Sequence, residues 1–508
     1  MADLTGTNDP DTGDIYTGFD RFGRVKDNRW YGYGAMADAD RIKYGYDRSS
    51  NRIWRQNTVA DALSKHFDEL YSNDGIQRLK DLERGTLNAQ KDGVTDETFA
   101  ECWSLDPTGN WKKYLQDDDG DGTWDLEQAR TANEVNEITD ITETTGPSWV
   151  TPAYSKAGNM TTIPQPADPT SSYTATYDAW NRLVKLVDGA NTVSEYEYDG
   201  AKRRTIQKSY ASGVLDETRQ LYYTDPSKWQ VIEERVDSST DSEQQHIWGL
   251  RYIDDCILRD RDTTGNGTLD ERLYGIQDAN WNVTAISNTN GTVQERYAYS
   301  AYGTPVFLSA SLGSRSSSSY DWRVLYAGYR WETGTELLHV RNRAYASPLG
   351  TWLQRDPLGL HAGISLYQSV TSSPLNFTDP SGNYAIPLPP PAPITPIIPL
   401  ITACLAFPPC AIALVGTVAI GACMLIPACR ASMENLIRSI LKVCAGAITA
   451  TIFYCEIHIR NDDGSCIYFC PDFDDYIKVT DWQGSDFDCP DVFGFDSGDI
   501  PDDLPTPI

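Results

Sequence analysis

Alternation of apolar and polar residues is the first pattern in the chain. The stretch TVSEYEYDG, from Thr192 to Gly200, alternates as a strand with one buried face does. Other strand-like runs each follow an aromatic or apolar residue, an Asp and a short turn. These pieces are FDRFGRV from Phe19, YDRSSNRIW from Tyr46, LDPTGNW from Leu105, YDAWNRLVKL from Tyr177 and YDGAKRRTI from Tyr198. The pattern predicts an array of antiparallel β-hairpins.

The turn residues support this array. Asp at the first position of a turn accepts hydrogen bonds from the turn backbone, and Gly at the fourth position fits a type I turn. Asp20 with Gly23 and Asp106 with Gly109 follow this rule. Since one hairpin alone is barely stable, we expect the repeats to stack into one wall.

The pattern changes abruptly after Gly382. From Asn383 onward no charged side chain occurs until Arg430. Residues 383–409 are proline-rich and predict an extended spacer. The uncharged run 410–429 would be about 30 Å long as a helix, enough to cross a bilayer core. A membrane-inserting segment, apolar cargo kept soluble by the rest of the chain, and a buried helix pair all remain open for 410–455.

The net charge of the chain and the positions of its cysteines limit the partners and the kind of tail that we expect. The formal net charge of −29 disfavours nucleic acid as a partner of the main body, because such a surface repels phosphate. Only Cys102 and Cys256 of the 11 cysteines precede Cys404, so the tail 456–508 is predicted to be a small β module with disulfides. The acidic start of the chain has no apolar core and is not a signal peptide.

Metal and cofactor sites are not predicted. A zinc set would need Cys455, His458, Cys466 and Cys470, and their spacing does not fit a zinc finger. The loops DDDGDGTWD from Asp117 and DTTGNGTLDE from Asp262 are spaced somewhat like calcium loops. Both lack the glutamate that an EF-hand needs at its twelfth position, so we interpret them as exposed turns.

Three downstream segments carry a family resemblance. They are DANWNVTAISNTNGTVQERYAYSAYGTPV from Asp278, LYAGYRWETGTELLHVRNRAYASPLGTWLQRDPLGL from Leu325, and LYQSVTSSPLNFTDPSG from Leu366 to Gly382. With the upstream repeats they resemble the YD-repeat, or Rhs (rearrangement hot spot), family and its repeat-associated core, and are similar to Tc-toxin C components. The resemblance implies a hollow shell wound from a spiralling strip of β-hairpins around a variable C-terminal polypeptide, often a toxin.

The predicted fold is therefore mainly β, a partial shell followed by a short apolar, helical segment and a Cys-rich β tail. The predicted organisation has six parts. They are degenerate YD repeats over 1–150, YD repeats over 151–305, the repeat-associated core over 306–382, the spacer over 383–409, the apolar segment over 410–455 and the acidic tail over 456–508.

The motif Asp-Pro-x-Gly occurs at Asp356 and again at Asp379, just before the border. Two type I turns are the simplest interpretation. The family resemblance implies more: paired motifs of this kind belong to a self-cleaving site in which two aspartates act as in an aspartic protease and an arginine assists. By that resemblance the residues are Arg343, Asp356 and Asp379, and the cut falls just after Gly382, near Asn383 and Tyr384. The chain departs from the family pattern at Ala344, Ala346, Thr351–Trp352 and Asn383.

Two functional hypotheses follow. The first is a secreted or cell-surface β-shell that carries its own C-terminal segment as cargo and releases it by self-cleavage. The second is a non-catalytic surface or adhesion protein, anchored by membrane contact through 410–429, that binds carbohydrate or a neighbouring cell. No other activity and no cofactor are predicted.

Overall fold

The computed structural model describes residues 18–224, 228–361 and 363–387, together with four strands between Ile452 and Asp496. The chain divides into two compact units, Met1–Pro393 and Ile394–Ile508. Antiparallel strands dominate the described residues, which confirms the predicted mainly-β fold.

The first sheet is an antiparallel meander of nine strands whose neighbours follow sequence order. A short helix, α1 (Thr58–Ala62), interrupts it, and the Asn57 side chain caps this helix by accepting the Ala60 N–H at 3.0 Å. The strands are β1 (Asp27–Gly32), β2 (Ala37–Tyr46), β3 (Arg52–Asn57), β4 (Asp68–Asn73), β5 (Leu79–Leu87), β6 (Val94–Leu105), β7 (Trp111–Asp117), β8 (Leu126–Ala132) and β9 (Ile138–Thr145).

The second sheet is a separate antiparallel meander of fifteen strands, again in sequence order. The strands are β10 (Ala153–Tyr154), β11 (Met160–Pro164), β12 (Ser172–Tyr177), β13 (Leu183–Asp188), β14 (Asn191–Tyr198), β15 (Arg204–Ala211), β16 (Val214–Tyr223), β17 (Val231–Val236), β18 (Gln244–Trp248), β19 (Cys256–Arg261), β20 (Glu271–Gln277), β21 (Val283–Asn288), β22 (Val293–Tyr299), β23 (Pro305–Ser309) and β24 (Ser314–Arg315).

Shorter elements follow the meanders. A four-stranded sheet contains β25 (Arg330–Glu332), β26 (Leu337–His339), β27 (Ala344–Ala346) and β28 (Thr351–Trp352), and a two-stranded sheet contains β29 (Phe377–Thr378) and β30 (Ile386–Pro387). Single 3₁₀ turns lie at Tyr326–Gly328, Ser347–Leu349, Gly359–His361 and Val370–Ser372.

The second unit contains a four-stranded antiparallel sheet, in the order β33-β32-β31-β34. Its strands are β31 (Ile452–Arg460), β32 (Cys466–Cys470), β33 (Asp475–Val479) and β34 (Val492–Asp496). Strand β31 begins inside the segment 410–455 that the sequence predicted as helical, so the end of that segment is a strand. The spacer and the run 410–429 lie outside the described residues, and within the described part no helix has the length and hydrophobicity for a bilayer crossing.

The turn aspartates of the repeats close their turns, as predicted. At Asp178 one carboxylate oxygen accepts the N–H groups of Trp180 at 2.9 Å and Arg182 at 3.0 Å. The other oxygen accepts the Arg182 Nε–H at 2.6 Å. The same aspartate–arginine turn occurs at Asp20–Arg24, Asp74–Arg78 and Asp199–Arg203.

A tyrosine just before the turn ties four of the hairpins to an earlier one; the turn aspartate follows Tyr46, Tyr177 and Tyr198 directly, whereas Thr224 follows Tyr223. The tyrosine hydroxyl donates to a backbone carbonyl at or near the start of the strand that follows the turn two turns earlier. The bonds are Tyr46 to Val25, Tyr177 to Met160, Tyr198 to Leu183 and Tyr223 to Arg204, all between 2.6 and 2.8 Å. The Tyr-Asp pair therefore closes one turn and fastens it to its neighbour.

One hydrophobic cluster joins both meanders to the segment after them. It contains Trp103 from β6, Leu186 from β13, and the fully buried Leu337 and Leu353. Burial of each such side chain is worth roughly 1.5–3 kcal/mol. The repeat-associated core thus packs against both meanders, and this packing places the polar residues between Val340 and Gly382.

Candidate active site

Two Asp-Pro-x-Gly turns fix the aspartates that the sequence singled out. The Gly359 N–H donates to the Asp356 carbonyl at 2.9 Å, and the Leu358 N–H donates to Asp356 Oδ1 at 2.8 Å. The second turn closes through the Gly382 N–H to the Asp379 carbonyl at 3.2 Å, and Gly382 has a φ of +69° that favours glycine. Both motifs therefore form the type I turns expected of them.

Arg343 brings the two turns together. It precedes β27, and its Nη2 lies 2.8 Å from Asp356 Oδ2 and 3.2 Å from Asp379 Oδ2. The guanidinium sits over the Trp352 ring, 4.3 Å from the ring centroid. The side chains of Arg343 and Asp379 are 2% exposed and that of Asp356 is 5% exposed, so this cluster is almost closed to solvent.

Three consecutive residues hold the segment before the border. Arg341 Nη1 donates to the Pro380 carbonyl, Asn342 Nδ2 to the Ser381 carbonyl at 3.0 Å, and Arg343 Nε to the Gly382 carbonyl. These bonds fix three successive carbonyls of the chain against one loop. The carbonyl of Gly382, after which the cut was predicted, is the one that Arg343 binds.

The predicted cleavage residues lie in the same network. Asp379 Oδ1 accepts the N–H groups of Asn383 at 3.0 Å and Tyr384 at 3.2 Å. The peptide between Gly382 and Asn383 therefore has its carbonyl on Arg343 and its N–H on Asp379. All five residues that the sequence analysis named for this site are brought together.

Electrostatics make it harder to ionise both aspartates of this cluster. Burial raises the pKa of Asp356 and of Asp379, and the attraction of Arg343 does not overcome that effect. A single guanidinium cannot balance two buried carboxylates, so the second negative charge costs more than the first.

Comparison with known proteins identifies the repeat. The model of the family described as RHS Repeat matches residues 177–215, which hold the turns at Asp178 and Asp199. This stretch of the chain is therefore an Rhs repeat. The matched stretch contains both the aspartate–arginine turn and the tyrosine bond described above.

Curated relatives extend the Rhs match along the chain. The tRNA3(Ser)-specific nuclease WapA of Bacillus spizizenii is 27% identical over 238 residues, which is 46% of this chain and 9% of that protein. The toxin subunit YenC2 of Yersinia entomophaga is 22% identical over 390 residues, which is 70% of this chain and 39% of that protein. The chain thus spans under two fifths of either relative.

Solved structures show the same Rhs fold. The crystal structure of TcdB2–TccC3–Cdc42 matches 73% of this chain with a TM-score of 0.53 at 17% identity, over 18% of that chain. The Photorhabdus luminescens Tc holotoxin pore matches with a TM-score of 0.54 at 15% identity, over the same shares of the two chains. The hairpin wall is therefore an Rhs-type shell wall.

The sequence analysis did not name several residues that surround Arg343, Asp356 and Asp379. The Tyr329 hydroxyl donates to the Asp379 carbonyl at 2.9 Å and accepts the Asp379 N–H at 3.0 Å. Arg341 and Asn342 adjoin Arg343 in the sequence, and that polar run was a signal that could have drawn attention to them. Trp352 is one of the departures from the family pattern and now proves to lie under Arg343.

The loops that resemble calcium sites form turns. Asp117 accepts the N–H groups of Gly120 at 2.7 Å and Gly122 at 2.8 Å, and its carboxylate lies within 4.8 Å of those of Asp119 and Asp125. Asp262 accepts those of Gly265 and Gly267 in the same way. The side chains of the tail cysteines and of His458 lie outside the described residues.

Proposed function

We propose that this chain is the wall of a toxin-like Rhs protein that cleaves itself between Gly382 and Asn383 and so releases the polypeptide that follows. One observation carries the proposal: Arg343 contacts both aspartates and the Gly382 carbonyl, while Asp379 contacts the Asn383 nitrogen. The relatives include a nuclease and a toxin subunit, which supports a secreted or surface-displayed protein with a cargo.

In the proposed reaction each of these side chains has one role. Asp356 takes a proton from water as the water oxygen bonds to the Gly382 carbonyl carbon. Negative charge grows on the carbonyl oxygen, where the Arg343 Nε–H stabilises it. Asp379, which carries a proton in this proposal, gives it to the Asn383 nitrogen, and the C–N bond breaks to leave a carboxylic acid on Gly382 and an amine on Asn383. The proton taken from water stays on Asp356, and the new carboxylic acid passes its own proton to Asp379 and becomes a carboxylate.

The chain contains a third Asp-Pro-x-Gly turn that serves as a matched control. Asp106 opens it, and the Asp106 carboxylate accepts hydrogen bonds from Thr108 and Asn110. Among the described residues no arginine forms an ion pair with this carboxylate. Asp356→Asn and Asp379→Asn remove a proton-transfer group, whereas Asp106→Asn changes the same motif outside the cluster.

Intact-mass analysis of the expressed full chain tests the proposal. The unaltered chain and Asp106→Asn should give two fragments, the second beginning at Asn383, and both cluster variants should stay intact. Fragments that persist in Asp379→Asn would end the proposal. An intact unaltered chain would do so too, and would favour a non-catalytic surface protein.

A further inference from the structure

A cavity of about 170 Å³ lies between the turns of the second meander and the loop that ends at Arg343. Positive charge dominates its wall, in contrast to the acidic chain as a whole. The cationic side chains that line it are Arg182, Lys202, Arg204, Arg330, Arg341 and Arg343, and Asp254 is the single acidic one.

Most of these cations have carboxylate partners. Arg182 pairs with Asp178, Arg330 with Glu234, Arg341 with Asp254, and Arg343 with the two aspartates of the cluster. Arg204 is different. It is 8% exposed, and no acceptor among the described residues lies within hydrogen-bonding distance of its Nη1.

A buried guanidinium without a carboxylate partner is costly, since its desolvation is not repaid. The nearest compensation for Arg204 is the Tyr196 ring, whose centroid is 5.3 Å away. Glu332 is a charged neighbour, but Ser194, Tyr196 and His339 occupy its two oxygens at 2.6–2.7 Å. Arg204 is therefore available to an anion that enters the cavity.

His246 offers a second unused atom on the same wall. Its Nε2 lies 3.0 Å from Glu234 Oε1, and its Nδ1 has no partner among the described residues. Burial lowers the pKa of His246, which keeps the ring neutral. With the proton on Nε2 toward the carboxylate, Nδ1 is an acceptor and can receive a hydroxyl hydrogen.

Aromatic rings complete the wall and are already fixed in place. Tyr198, Tyr223 and Trp248 line the cavity, and each donates its polar hydrogen to a backbone carbonyl at 2.6–2.7 Å. Because their polar ends are tied, these rings form a preformed aromatic lining. A guanidinium already lies over the rings of Tyr198 and Tyr223, from Arg182 at 4.6 Å and from Arg203 at 5.3 Å, so a ring-shaped ligand would use the remaining aromatic surface.

We propose that this cavity binds a small ring-bearing carboxylic acid that also carries a hydroxyl group. The carboxylate would pair with Arg204, the hydroxyl would donate to His246 Nδ1, and the ring would lie against the aromatic wall. The size agrees, since a cavity of about 150 Å³ holds benzene. Aromatic hydroxy acids and acidic sugars share this chemistry.

Calorimetric titration of the full chain tests the site with four probes: 4-hydroxybenzoate, glucuronate, and their uncharged counterparts phenol and glucose. At least one acid should bind saturably, and which one binds distinguishes an aromatic from a sugar ring. The uncharged counterpart should bind at least about tenfold more weakly, as expected for the loss of a charge-assisted hydrogen bond. Fluorescence of Trp229 and Trp248, which line the cavity, reports the same event.

Arg204→Gln should weaken binding by about 10- to 100-fold, Arg204→Lys should weaken it less, and Arg78→Gln, at a turn away from the cavity, should leave it unchanged. If Arg204→Gln does not fold, Arg204→Lys and the uncharged probes still decide the question. The proposal fails if neither acid binds the unaltered chain below about 10 mM, if an uncharged probe binds as well as its acid, or if Arg204→Gln binds undiminished. None of these results bears on self-cleavage.

Discussion

Two arginines of this chain, Arg78 and Arg343, make different sets of contacts. In the first meander, Arg78 binds one carboxylate, Asp74, at 2.7 Å and the carbonyl of Asp106, in the turn between β6 and β7, at 2.6 Å. At the border, Arg343 binds two carboxylates and the carbonyl of Gly382. The first arrangement fastens one hairpin to the next, whereas the second surrounds a single peptide bond.

Burial and the ratio of charges separate the two regions. Partial burial raises the pKa of Asp74, but hydrogen bonds from Arg78 outweigh it, and the net pKa is lowered. At Asp379 burial raises the pKa and the shared Arg343 does not reverse it. One arginine beside one partly exposed carboxylate lowers the pKa of that carboxyl, whereas one arginine beside two buried carboxylates leaves the pKa of both raised.

The largest expected effect is on the rate of self-cleavage when Arg343 is changed to lysine. Lysine keeps the charge but loses the planar fork, so it cannot contact two carboxylates and a carbonyl at once. We expect Arg343→Lys to slow cleavage by about 10²–10³-fold, the usual loss when one donor to a developing oxyanion is removed. A time course of fragment formation after synthesis measures this.

Arg78→Lys is the control for that comparison, because Arg78 makes the same kinds of contact far from the border. Its cleavage rate should stay within about twofold of the unaltered rate, since exposed ion pairs contribute little. Equal cleavage rates for Arg343→Lys and the unaltered chain would show that the planar guanidinium of Arg343 plays no part in the reaction.

A second prediction concerns acid. The folded pKa of Asp74 and of Asp178 is lowered, so their stabilisation is present above the unfolded value of about 3.9 and is lost as pH falls through the folded value. The folded pKa of Asp356 is raised, so its contribution is complete below the unfolded value and is lost as pH rises through the folded value.

Hydrogen exchange, corrected for intrinsic rates, can follow both turns in one experiment. As pH falls from about 5 to 3, the Arg182 amide on Asp178 should lose protection, while the Leu358 amide on Asp356 should keep it. Loss of protection at both amides over the same pH range would contradict the opposite signs assigned to the two regions.

The sequence predicted more of the turns than of their connections. Asp at each turn was recognised from local chemistry, and Arg343, Asp356 and Asp379 from the family resemblance. The arginine four residues after the turn aspartate was visible in FDRFGR and YDAWNR, yet its role needed the structure. The bond from Tyr198 to Leu183, 15 residues away, depends on strand register, and so does the position of Arg204 on the cavity. That register includes bulges at Thr176/Tyr177 and at Glu197/Tyr198, which alternation alone does not predict.

The smallest expected effect tests whether the turn arginine stabilises the wall at all. In a double-mutant cycle of Asp74→Asn and Arg78→Gln, we expect a coupling free energy of about 0.3–1 kcal/mol. Hydrogen exchange of the backbone amides at positions 76 and 78, which Asp74 binds, measures the free energy of local opening. The Lys80–Asp81 pair, whose side chains are 56% and 30% exposed, should show coupling near zero. Coupling near zero at Asp74 as well would mean that the backbone bonds alone hold the turn, and Arg78 would then be no structural counterpart of Arg343.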